Sequence, residues 1–182
     1  MRSILTIGAI LLATAAAAQA APALSLSSPA FKNGGALPDK YSFNGMGCTG
    51  TNVSPPLEWK NPPAGTKSYA LLVHDPDAPT GSGWWHWVVY NIPPDVSSLA
   101  EAATLPKGAV AGNTDFGKPG YGGPCPPPGS GKHHYNFTLF ALKVEKIEVP
   151  PGASPAMVGY NANANAIGKA KLTGTYSRPK AK

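Results

Sequence analysis

Apolar residues in this chain fall in short, nearly continuous runs separated by glycine and proline. YALLVH (69–74), WHWVVYNI (85–92) and YNFTLFALKV (135–144) are rich in β-branched and aromatic residues. Each is bounded by turn formers, which predicts three strands covered on both faces. KLTGTYS (171–177) alternates polar and apolar positions and predicts a closing strand. Helical spacing is rarer. VSSLAEAA (96–103) is a short candidate. SPAMVGYNANANAIGKA (154–170) is a better one: Ser154 suits a cap, Pro155 suits the first turn, and Met157, Tyr160, Ala164 and Ile167 recur at helical spacing. Its asparagine-rich centre forms helix poorly, so tertiary contact has to hold it. The pattern is that of a mainly β domain with two short helices.

Residues 1–20 stand apart from this pattern. MRSILTIGAILLATAAAAQA has one basic residue near its start, an apolar centre and an A-x-A end at 18–20, the build of a secretory signal peptide cleaved after Ala20. The apolar stretch, residues 4–18, is shorter than the roughly 18 residues a spanning helix needs, and no later segment is apolar for longer. An exported chain without a stable membrane anchor is expected, in the periplasm or outside the cell. The roughly 160 residues that follow, 21–182, suit one domain with a sizeable core.

Composition sharpens the loops. Gly and Pro number 21 each, and GKPGYGGPCPPPGSG (117–131) consists mostly of the two. That segment lies inside the domain and leads into a strongly apolar strand, so it reads as a shaped surface loop, where function concentrates. Lys and Arg number 15 against 9 acidic residues. The lysines are scattered apart from a small C-terminal cluster, which does not make the footprint of a nucleic-acid binder. Cys48 and Cys125 are the two cysteines. An even count in an exported chain points to a disulfide that would tie CTGTNVSPPLEW to the Gly/Pro loop, the alternative being two free thiols.

The chemistry gathers at strand ends. Strict alternation along 84–89 puts Trp85, Trp87 and Val89 on one face and Trp84, His86 and Val88 on the other. The same rule puts His133 and Tyr135 on one face and His134 on the opposite one. Asp75 and Asp77 close the preceding strand in a turn stiffened by Pro76 and Pro79. A site collecting Asp75, Asp77, His86, His133 and Tyr135 suits a small anion: imidazolium and phenol donate hydrogen bonds, glycine N–H groups of the loop add more, and tryptophan excludes water. The aspartates then orient the histidines, or meet an ammonium group on the ligand. A metal site lacks any tight ligand spacing. Nucleophilic catalysis lacks G-x-S-x-G, and Ser82 and Ser130 sit among glycines. The plainest alternative is that these side chains only cap strand ends.

DPDAP (75–79), WHW with His86, GPCPP (123–127) and H-x-Y at His133 and Tyr135 together resemble the signature of the phosphatidylethanolamine-binding proteins. CTGTNVSPPLEW and SPAMVGYNANANAIGKAKLTGTYSR resemble its bacterial Raf kinase inhibitor-like branch, the YbhB/YbcL type. The resemblance spans about Leu24 to Arg178. It implies an antiparallel β-sandwich with short flanking α-helices and a shallow pocket for phosphate, acetate or a phosphoethanolamine head group. Matched by position, Asp75, Asp77, His86, Gly123, Pro124, His133 and Tyr135 are the implied ligand-binding residues. The TGSG segment after DPDAP is shorter than in eukaryotic relatives, and the loop carries an extra proline and a cysteine, so kinase inhibition is not implied. The expectation is a non-enzymatic anion-binding protein that needs no cofactor or metal. The alternative is an interaction protein that modulates a kinase or protease by docking a phosphorylated or acidic segment of a partner.

Overall fold

A computed structural model describes residues 22–180, so the leader peptide expected over 1–20 lies outside the described residues. In chain order the strands are β1 (Ser25–Ser27), β2 (Asn44–Gly45), β3 (Cys48–Thr49), β4 (Leu57–Lys60), β5 (Ser68–Asp75), β6 (Trp84–Ile92), β7 (Ser98–Leu99), β8 (Val110–Ala111), β9 (Lys132–Leu142) and β10 (Ala166–Ser177), with helix α1 (Pro155–Asn165) between the last two. A five-stranded antiparallel sheet runs β10-β9-β5-β6-β8, a three-stranded one runs β1-β4-β7, and β2 pairs with β3.

The apolar runs are nearly continuous because the large sheet is covered twice. One face packs Val73, Trp87, Val89, Phe137 and Leu139 against Leu26, Leu57, Trp59 and Leu99 of the small sheet, which makes a β-sandwich core. The other face packs Ala70, Leu72, Phe140 and Leu142 under Ile147 and Ala162. β5, central in the sheet, is buried along almost its whole length.

Two helical expectations need correction. Residues 96–103 are not helical: Trp59 N donates to Ser97 O, Ser98–Leu99 pairs with β4, and Ala102 N donates to Ser54 O with Ala102 at φ 52°. Eight residues cannot repay helix nucleation alone, whereas pairing buries Leu99 in the core. Among the described residues α1 is therefore the one α-helix, not one of two. It starts as expected, with Ser154 Oγ accepting from Met157 N at 3.2 Å and Pro155 in the first turn. Its buried face, however, is Pro155, Val158, Gly159 and Ala162, while Met157 and Tyr160 point outward, the latter 74% exposed. A Cβ on Gly159 would stand 3.3 Å from Leu72 Cδ2, so the helix lies close to the sheet on small residues. Ile167 already belongs to β10. The asparagines support the helix themselves: Asn161, Asn163 and Asn165 each donate to the carbonyl four residues back. Among the described residues no helix is long and apolar enough to cross a membrane.

Candidate functional site

His86 is aimed by a fault in the ladder. Val73 pairs with Trp87 and His74 with Trp85, so on β6 His86 is one residue too many. Such a bulge re-aims side chains. Beyond it the alternation expected along 84–89 fails: Trp87 and Val89 stay in the sandwich core, while Trp85 crosses to the opposite face, its ring tilted against that of His74 with centroids 4.3 Å apart. His86 instead faces Tyr135, ring centroids 5.0 Å apart. The loop fixes it at two points. Gly122 N donates to His86 O at 2.8 Å, and His86 Nδ1, 2.7 Å from Gly122 O, donates back. Trp85 N, near the bulge, donates to Asp115 Oδ2 at 2.8 Å.

The aspartates and histidines pair across the adjoining ends of β5 and β9. β5 and β9 are neighbours in register, with His74 opposite Asn136, so Asp75 and His133 reach one face. His133 Nδ1 donates to Asp75 Oδ2 at 2.7 Å, with both side chains buried, and Asp77 N donates to Asp75 Oδ1 at 2.8 Å. His133 Nε2 lies 2.9 Å from Ser130 Oγ, which also lies 2.8 Å from Pro127 O. On the outer face Asp77 Oδ2 accepts from His134 N and His134 Nδ1. Partial burial pushes the Asp77 carboxyl up, but the His134 bonds outweigh it and hold the group below its ordinary pKa.

Asp75, His86, His133 and Tyr135 thus line one cavity of about 190 Å³. That is below the usual range for drug-sized ligands and suits a head group. Trp84 and Phe116 form an aromatic wall beside them, ring centroids 5.5 Å apart, and Pro126, Pro127 and Cys125 form the loop side. Cys48 and Cys125 are joined in a disulfide, so a pocket residue is covalently tied to β3. Three other expected site residues lie outside the lining. Asp77 is turned to His134, Gly123 N donates to Asn52 Oδ1 at 2.7 Å, and Pro124 O accepts from Phe43 N. Gly123 is there for clearance, since a Cβ would meet Tyr41 O at 2.0 Å. Sequence reasoning passed over Gly122, Asn52 and Phe116, and weighed Ser130 only as a nucleophile. Only the glycine-rich composition of the loop hinted at the first, and nothing local marks the others.

Two groups in the cavity are electrostatically distinctive. Burial drives the His86 pKa down from 6.5 to about 4, against the upward pull of the Gly122 hydrogen bond and the Asp75 charge. Tyr135 Oη is buried with no partner at good hydrogen-bonding geometry among the described residues, and burial, followed by the charge of Asp75 and the pull of that nearby carboxylate on its hydrogen, pushes its pKa up, so it remains a phenol. The other such atom, Trp59 Nε1, belongs to a core residue beside Tyr69. His86 also sets a stability trend. Between pH 4 and 6.5 the unfolded chain binds the proton that the fold refuses, so stability falls on acidification through this window and is level above it. The gap between about 4 and 6.5 corresponds to roughly 3 kcal/mol. Urea unfolding at pH 7 and pH 4 is expected to show a loss smaller by about that amount in His86→Gln than in wild type.

An antiparallel β-sandwich with a small pocket lined by a buried histidine–carboxylate pair defines the class. The model of the phosphatidylethanolamine-binding protein family matches residues 27–177. The chain is 51% identical over 165 residues to YbcL of Escherichia coli K12, covering 87% of this chain and 90% of that one, and 46% identical over 159 residues to YbhB of the same organism, covering 85% and 100%. A Mycobacterium tuberculosis relative named as a candidate lipoprotein, LppC, is 42% identical over 159 residues, covering 87% of this chain and 75% of that one. The crystal structure of E. coli YbcL superposes with a TM-score of 0.82 at 49% identity, covering 86% of this chain and 99% of that one. This chain belongs to the phosphatidylethanolamine-binding protein family. Its membership points to a binding protein.

Proposed function

We propose that this is an exported, non-enzymatic binding protein whose pocket holds a small phosphate-bearing or carboxylate anion. The observation that carries the reading is Tyr135: a phenol buried in the pocket wall with no partner at good hydrogen-bonding geometry among the described residues is costly unless a ligand atom accepts its hydrogen. His86 Nε2 is the second polar contact, since its Nδ1 is committed to Gly122 O. His133 acts indirectly. Asp75 and Ser130 hold both its nitrogens, so it braces the wall rather than reaching for the ligand, and Ser130 is a brace rather than a nucleophile. The leader peptide, the disulfide and the candidate lipoprotein among the relatives support export.

Titrating the protein with phosphoethanolamine, followed by histidine ring and tyrosine NMR signals, tests this reading. Saturable shifts of His86 and Tyr135 are expected, with affinity about fivefold to a hundredfold weaker in Tyr135→Phe for loss of one buried hydrogen bond. No shift at millimolar ligand, or stoichiometric labelling of Ser130 by a fluorophosphonate, would overturn it.

A further inference from the structure

Resting on the anion-pocket reading, we propose that this pocket selects an oxyanion still carrying at least one acidic proton, the monoanion of a phosphate monoester or of phosphate itself, over fully deprotonated oxyanions and phosphodiesters.

The hydrogen-bond inventory of the wall carries the inference. Among the described residues no lysine or arginine lines the cavity, and a carboxylate, Asp75, does. The donors there are largely spent. His133 Nδ1 serves Asp75, Thr80 Oγ1 serves Gly83 O, and the Gly122 and Gly123 N–H groups serve His86 O and Asn52 Oδ1. Uncommitted side-chain donors are neutral: the Tyr135 hydroxyl and the Trp84 indole N–H. Against them stand acceptors. Because Nδ1 carries the hydrogen donated to Gly122 O, His86 Nε2 presents a lone pair in the neutral ring. Asp75 adds its oxygens.

An oxyanion without hydrogen would bring only acceptors and negative charge to this wall. It would face Asp75, whose one cationic partner, His133, is already spent on that carboxylate. An oxyanion with one P–OH donates that hydrogen to Nε2 or to the carboxylate and takes the Tyr135 hydrogen on another oxygen, so every group is paired. The remaining route is to protonate His86. Burial opposes it. The charged or titratable groups near the ring are Asp75 and His74 from β5, His133 and Tyr135 from β9, and Asp115 in the segment that also supplies Phe116 and Gly122. A phosphate monoester loses its second proton near pH 6 and a phosphodiester has none to lose at neutral pH, so the two phosphate sources, free monoester and intact lipid head group, are told apart by chemistry.

Calorimetric titration with phosphate, phosphoethanolamine, sulfate and glycerophosphoethanolamine at pH 5.5, 7.5 and 8.5 tests this. At pH 5.5 phosphate and phosphoethanolamine are expected to bind roughly tenfold or more tightly than sulfate and the diester. Phosphoethanolamine affinity relative to sulfate should fall roughly a hundredfold by pH 8.5, following its second ionisation. At pH 7.5, buffers of different ionisation heat should report uptake of about one proton per phosphoethanolamine bound. Sulfate equal to phosphate, with no proton uptake, overturns the proton requirement while leaving the anion pocket standing. The diester binding as tightly as phosphoethanolamine assigns the site to lipid head groups and also overturns it. No binding by any of the four at pH 5.5 overturns both readings together.

Discussion

Asp75→Ala is expected to lower the unfolding free energy by roughly 3–5 kcal/mol, the cost of leaving one member of a buried charged pair behind. Its carboxylate accepts from His133 Nδ1 and from Asp77 N, and both side chains of the pair are 3% exposed. Removing it strands an imidazole and a backbone donor at once. Urea denaturation of Asp75→Ala, His133→Ala and the double variant closes a thermodynamic cycle. The double variant should be clearly less destabilised than the sum of the singles, because the two groups spend their bonds on each other. Additive losses would mean that the pair is not coupled. Asp75→Asn, which keeps the shape and one acceptor, should fall between wild type and Asp75→Ala.

Removal of the disulfide is the second large effect. Cys48 and Cys125 are separated by 77 positions, and in the chain-entropy model a bridge over a loop that long contributes roughly 4 kcal/mol. Reduced wild type and the Cys48→Ala, Cys125→Ala double variant should unfold at a common urea midpoint, well below that of the oxidised protein. Ligand affinity should fall too. Cys125 lines the pocket, and its loop is otherwise held by Arg178, whose Nη1 and Nη2 donate to Pro126 O and Gly47 O at 3.3 and 2.6 Å, and by single bonds such as Gly123 N to Asn52. A reducing agent that moves neither midpoint nor affinity would show that the bridge is not formed.

Strands β5, β6 and β9 were legible because burial on both faces writes apolar runs that no helix of that length would need, and the C-terminal part of β10 was legible from its alternation. The start of α1 was legible because Ser154 and Pro155 are chemically suited to it. Its buried side was not, since what lies beneath is Leu72 and Phe140. Over such bulky residues a close helix must present Gly159 and Ala162, which inverts the rule that large apolar residues mark the inner face. In the site, the pairing of Asp75 with His133 follows from strand parity once β5 and β9 are known to be neighbours, and sequence alone does not supply that adjacency; Asp77 would share that face by parity and meets His134 instead because β5 ends at Asp75 and the turn carries Asp77 outward. The bulge at His86 carries no residue signal whatever. By contrast the second irregularity on the same strand falls near Asn91, held at φ 58°, a conformation asparagine tolerates.

These two irregularities bracket the run in which Leu71, Leu72 and Val73 face Val89, Val88 and Trp87. A one-residue slip there would turn Val88 into the sandwich and expel Trp87 and Val89 from it. The strand is pinned at both ends like a key with two notches, and insertions or deletions inside it are forbidden unless they come in compensating pairs. Length change among homologues must therefore be absorbed outside Trp84–Ile92. The turn before it, at 76–83, can lengthen freely as long as it ends on a residue able to hold the backbone of Gly83, whose φ is 74° and whose Cβ would meet Asp75 O at 2.5 Å. That leaves the rim of the pocket open to evolutionary tailoring while the ring of His86 stays where the ladder puts it.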